Sequence, residues 1–221
     1  MQKRWLGILL AMLLVVCVAG CGAQKPKESA DKAVVAWADL LYSGETENPE
    51  KIGVDKATMD KYHVVAHDYF IKAFELEKFH LSEAAQDEVV THLINEYNDK
   101  IALSAKIKKD DDKNPVVTLT YTPLDIKALE QEMSKDPAIV ELFQAVQVLD
   151  ATGTSGQQLE GWDADASERL INAFSDLPVK SPQTLDVTCE ITKGSGDEVF
   201  WAPKDEDVNK IQQALMPQTS K

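Results

Sequence analysis

Four histidines, His63, His67, His80 and His92, fall between positions 63 and 92. Two of them, His63 and His67, stand four residues apart, which on a helix puts both imidazoles on one face with Asp60 a turn earlier. Two ligands for a metal ion are arranged this way, so a metal-binding protein or metal-dependent enzyme is one function class to weigh. The glutamate that follows the first histidine in a zinc-peptidase helix is missing, because position 64 is Val, and with it the general base of that chemistry. The plainer use of the spacing is structural. Continued through Phe70 and Phe74, the pair edges the packed face of a helix, with its nitrogens bonded to backbone or carboxylate groups. His92 shares its helix sector with Glu88 and Glu96 and is expected in solvent.

Other reactive patterns fail on particular residues. Asp110-Asp111-Asp112-x-Asn114 has the acidity of a calcium loop, but Pro115 stands where the sixth position needs glycine and Tyr121 where the twelfth needs glutamate. It reads as a solvated turn. Gly153-Thr154-Ser155-Gly156 is followed by Gln157 and lacks the frame of a serine nucleophile elbow. Neither a phosphate-binding loop nor a dinucleotide fingerprint is present. Trp37, Trp162 and Trp201 are expected in the core rather than around a cleft. No catalytic residue is assigned, and the balance leans away from an enzyme.

The cysteines have separate uses. Cys189 lies on the apolar parity of the alternating run Leu185–Ile191, as a small buried hydrophobe would, with no histidine nearby in sequence to lower its pKa. Cys21 closes a segment in which Lys3 and Arg4 precede an apolar run, Trp5 to Val18, that falls short of the about twenty residues a spanning helix needs. This is the form of an export signal, residues 1–20, whose cleavage leaves Cys21 as the new N-terminus. Its last residues, Val18-Ala19-Gly20-Cys21, resemble a bacterial lipobox. The resemblance implies a thioether-linked diacylglycerol on Cys21, with a third acyl chain on its amine in some bacteria. No other cofactor is expected. At about 0.8 kcal/mol per buried methylene, two chains anchor a protein stably. The expected address is outside the cytoplasm, at the cell membrane or at the outer membrane of a two-membrane host.

Without its signal the chain keeps about 200 residues, enough for one large domain or two small ones. The net charge of the whole sequence is −14, and the signal removes two of its cations, Lys3 and Arg4. So acidic a surface argues against nucleic acid and is repelled by anionic headgroups, which leaves covalent lipid as the membrane attachment. The remaining partner is expected to be an envelope protein or a small ligand.

The elements follow from periodicity. Residues 21–30 form a lipidated cysteine and a polar tether. A helix from Asp31 carries Val34, Trp37 and Leu41 and stops at Gly44. A second, from Asp55 to Glu75, lays Met59, Tyr62, Ala66 and Tyr69 along one face, and a third runs from Ser82 to Asn98. The period then falls to two. Ile101, Leu103, Ala105 and Ile107 alternate, Lys108 to Pro115 turn, and Val117, Leu119 and Tyr121 alternate again, which predicts a hairpin with one core face. Helices are expected over Asp125–Met133 and after the cap Asp136-Pro137, the latter burying Ile139, Leu142, Phe143, Val146 and Leu149. Ala151–Gly161 reads as a linker, Asp163–Leu177 as a helix, Leu185–Ile191 with Glu198–Ala202 as a second hairpin, and a last helix buries Val208, Ile211 and Leu215.

The fold class is therefore α+β, with helices packed on antiparallel hairpins. Helix, hairpin, proline and helix occur twice, with Leu93-Ile94-Asn95 matching Leu170-Ile171-Asn172 and Pro123 matching Pro203, so two related units are expected over 31–125 and 126–216. The opening helix Ala33–Trp37 and the ending Trp201-Ala202-Pro203-Lys204-Asp205, behind a lipobox, resemble small Firmicutes lipoproteins of unknown function. The resemblance implies a cystatin-like or nuclear-transport-factor-like roll and supplies no catalytic residues. The function expected is a binding or interaction module at the envelope. The alternatives are metal chemistry at His63 and His67, and solute capture for a transporter, the latter weakened by the lack of a pair of βαβ lobes.

Overall fold

Local signals set most of the helix ends. Gly44 takes a left-handed φ of 77° and its N–H donates to the Leu40 carbonyl at 3.0 Å, closing α1 (Ala30–Ser43). Asp55 Oδ1 accepts from the Thr58 N–H at 2.8 Å just before α2 (Lys56–Ala73). Ser82 caps α3 (Glu83–Lys100), Asp125 caps α4 (Ile126–Met133), and Asp136 with Pro137 starts α5 (Pro137–Thr152), whose Ala138 N–H donates to Asp136 at 2.8 Å. Asp163 and Asp165 stand in the first turn of α6 (Trp162–Phe174), and Asp205, Glu206 and Asp207 in that of α7 (Asp205–Leu215), where negative charge complements the helix dipole.

The computed structural model describes residues 25–194 and 198–216, and over them the chain is an α+β protein. Four strands, β1 (Ser104–Lys109), β2 (Val116–Tyr121), β3 (Gln183–Lys193) and β4 (Val199–Pro203), form one antiparallel sheet in the order β1-β2-β3-β4. The register sets Val117 opposite Val187, Leu119 opposite Leu185 and Ile191 opposite Trp201.

These elements make two compact units, each discontinuous in sequence. Of the described residues, the first holds 25–62, Leu103–Tyr121, 183–194 and 198–214. In it α1 lies on the sheet, over a core of Val34, Leu40, Val117, Leu119, Val187 and Cys189. Trp37 ties helix to sheet, its indole N–H donating to the Trp201 carbonyl at 3.1 Å. The second unit holds His63–Ala102, Thr122–Pro182 and the residues from Leu215. Here α6 packs against α3 and α5 around Leu93, Tyr97, Leu142, Leu170 and Phe174. Phe74 meets Phe174 edge-on at 5.3 Å, and the buried Tyr97 hydroxyl donates to the Leu215 carbonyl at 2.8 Å. The spatial division cuts across the sequence halves 31–125 and 126–216: β2 from one pairs with β3 from the other.

Three expectations need correction. Ile107 is 42% exposed, because β1 is an edge strand and a bulge between Ile107 and Lys109 breaks its register. Phe143, expected on the apolar stripe of α5, is 44% exposed, although its ring still meets Phe79 at 5.2 Å. The stretch read as a linker is partly helical: α5 continues to Thr152, and Gly156–Gln158 form a 3₁₀ turn.

Candidate functional site

The lipobox residues Val18, Ala19, Gly20 and Cys21 lie outside the described residues. The described chain opens on the end of the tether. Lys25 Nζ stands 3.0 Å from Asp112 Oδ1 in the β1–β2 turn, and Lys27 pairs with Glu198 at the foot of β4. Ala30, five residues after Lys25, is already buried. Among the described residues no helix is long and apolar enough to cross a membrane.

The histidine pair sits on α2 as its spacing predicts. The rings of His63 and His67 lie side by side, their centroids 4.1 Å apart with a tilt of 40°. His67 is buried, and its Nδ1 is 2.8 Å from Asp87 Oδ1 on α3. Asp87 is exposed, so it holds the Nδ1 edge of the imidazole while remaining hydrated. Asp60, expected beside the pair, is exposed on the first half of α2. A carboxylate on one ring nitrogen fixes the tautomer and the orientation of the ring and makes the other nitrogen a better acceptor. Among the described residues no group of three or more His, Cys, Asp or Glu side chains is placed to hold a metal ion.

A second carboxylate–imidazole pair forms at His80. His80 Nε2 lies 2.8 Å from Asp150 Oδ1 near the end of α5. His80 itself has φ 53°, and with Glu75 at φ 52° it brackets the 3₁₀ turn Leu76–Phe79 in the left-handed region that non-glycine residues seldom occupy. The turn is clamped from the other side. The Trp162 indole N–H donates to the Phe79 carbonyl at 2.9 Å, and Gly156 lies so close beneath that a Cβ there would stand 2.4 Å from the Trp162 ring and 2.9 Å from the His80 carbonyl. Seventy residues separate His80 from Asp150, and nothing local in the sequence marks them as partners. His92, expected in solvent, is half-buried, its Nε2 3.4 Å from the Ser175 hydroxyl.

The remaining reactive groups are restrained by their surroundings. Cys189 is a buried free thiol, pushed up to about 12 by burial and then by the charge of Asp207, so it is no nucleophile at neutral pH. Asp207 is itself buried, accepting from the Thr188 N–H at 2.8 Å and pairing with Lys210. Burial and the nearby Glu47 push Asp39 up to about 6. In the acidic turn, Asp111 accepts from the N–H groups of Asn114 and Lys113 at 2.9 and 3.0 Å, and these bonds hold its carboxyl below the usual carboxylate range. That is a turn closed by a side chain, as the sequence predicts. Trp37 and Trp162 are core residues, and Trp201 is half-buried.

No family model and no curated protein matches the sequence. Among solved structures the fold is similar to that of a candidate lipoprotein, ycdA, from Bacillus subtilis subsp. subtilis strain 168, with a TM-score of 0.56 at 16% identity. The match takes in 86% of this chain and 56% of that one, so the chain spans little more than half the length of the protein it resembles.

Proposed function

We propose that the chain is a lipoprotein of the bacterial envelope, held outside the cytoplasm by acyl chains on Cys21 and working by binding rather than catalysis. The observation that carries this reading is the segment Lys3–Cys21, a basic start, a short apolar run and small residues before a cysteine. The fold of ycdA, itself a candidate lipoprotein, supports it from an independent direction. The buried thiol of Cys189 agrees with it, since Cys21 then has no disulfide partner to seek. A chain with a net charge of −14 has little affinity of its own for an anionic bilayer, so the anchor accounts for attachment. Cys21→Ala tests this directly. The wild type takes up labelled palmitate and floats with membranes, whereas the variant takes up none and appears in the soluble fraction or as an unprocessed precursor. A variant that stays membrane-bound with unchanged mobility overturns the assignment.

A second reading, metal binding at His63 and His67, is favoured by one observation: Asp87 on His67 Nδ1 is the kind of outer partner that ligating histidines have. Among the described residues no group of three or more such side chains is placed to hold an ion, so on this reading further ligands come from outside those residues. On this reading the purified protein retains a transition metal that a His63→Ala/His67→Ala variant loses. Equal metal in both proteins, or none in the wild type, removes it.

A further inference from the structure

The tether ends against one edge of the first unit, and that edge is defined by the sheet register. β2 meets β3 with Val116 opposite Thr188 and Tyr121 opposite Gln183, so the β1–β2 turn and the β3–β4 turn lie at the same end of the sheet. Lys25 and Lys27 bridge to that end, one to Asp112 in the first turn and one to Glu198 just before β4. Each pair is exposed, so solvent screening leaves it weak. Ala30, at the start of α1, is buried, so the chain is held again five residues after Lys25. Lys25 lies four residues after Cys21, a reach of at most about 14 Å, and Ala30 nine after it, at most about 32 Å.

From this we infer that the end of the sheet carrying Asp112 and Glu198 faces the lipid headgroups when the chain is anchored through Cys21. The inference rests on the lipid-anchor reading and adds an orientation to it. The chemistry of this end suits a headgroup surface. Lys108, Lys109 and Lys113 stand among Asp110, Asp111 and Asp112, and Lys109 lies 3.4 Å from Asp111, so cations offset the acidity that dominates the chain as a whole. A zwitterionic bilayer meets a surface of mixed sign here rather than a bank of carboxylates.

The test uses the full lipidated protein in phosphatidylcholine vesicles that carry a nickel-chelating headgroup lipid. A nitroxide is placed at Lys113→Cys in the near turn or at Thr184→Cys, which lies at the far end of the sheet opposite Thr120. Buried Cys189 leaves the introduced thiol as the one that reacts. A strand of six residues separates the positions by about 20 Å, so nickel relaxes the label at 113 several-fold more than the label at 184. Equal relaxation, or a stronger effect at 184, overturns the orientation. In a Lys25→Glu/Lys27→Glu protein the contrast shrinks, because the tether then swings from Ala30; a contrast of unchanged size overturns the pinning. Flotation is scored before any label is read. Protein that fails to float overturns the anchor and the orientation together, whereas protein that floats with equal labels overturns the orientation alone.

Discussion

Asp39 sits half-buried on α1 with Glu47 nearby, and its carboxyl holds a proton up to about pH 6 because burial, and then the neighbouring charge, disfavours the anion. Its folded value lies above the unfolded one, so its contribution to stability is full below about pH 4 and is lost as pH rises through about 6. The carboxylates of Asp111, Asp176 and Asp186 are held low by hydrogen bonds and lysine partners, and their contributions run the other way, lost as the medium turns acid. Comparing variant with wild type isolates the one residue. Asp39→Asn is expected to raise stability at pH 7.5 by about 1 kcal/mol, after discounting for a carboxyl that water still reaches, and to leave it unchanged near pH 3.5. Urea unfolding of both proteins at the two pH values measures this; an advantage that persists undiminished in acid would mean that the gain has nothing to do with the proton.

At the scale of elements, what the sequence discloses depends on how far apart the determining residues lie. Gly44, Ser82, Asp125 and Asp136-Pro137 act within one turn of themselves, and the helices begin or end where those residues predict. The pair His63 and His67 was readable for the same reason. Asp87 and Asp150, the carboxylates that hold His67 and His80, come from 20 and 70 residues away, and only the tertiary fold brings them in. Strand β1 shows a subtler limit. Its alternation is genuine, but alternation does not say whether a strand is central or at an edge, and the exposure of Ile107 follows from the edge. Lys106, Lys108 and Lys109 then have a physical use, since lysines on an edge strand oppose pairing with a second sheet. Replacing Lys106 and Lys108 with Val should leave the chain folded and make it associate, with an apparent molar mass from light scattering that rises with protein concentration above that of the wild type. A double variant whose apparent mass stays that of the wild type at high concentration would show that the edge is protected without these lysines.

Over the whole molecule, the order of elements invites a cut between residues 125 and 126, and the structure says what such a cut would sever. The six-residue pairing of β2 with β3 disappears, leaving each half a lone hairpin, and hairpins without further strands are marginal in water. In the second unit the bridge of Leu124 to Val179 is lost as well, with the hydrogen bonds from Asp125 N–H to the Pro178 carbonyl at 2.8 Å and from Lys180 N–H to the Pro123 carbonyl at 2.9 Å. Helix α3 parts from α6, which exposes Leu93, Tyr97, Leu170 and Phe174 on the two pieces. Neither unit survives, because each draws residues from both sides of the cut. Fragments 31–125 and 126–216, expressed apart, are therefore expected to melt without a cooperative transition, and when mixed to recover the far-ultraviolet circular dichroism and the transition of the uncut chain. A single fragment that melts cooperatively on its own would show that the halves are self-sufficient folding units and that the pairing of β2 with β3 only joins them.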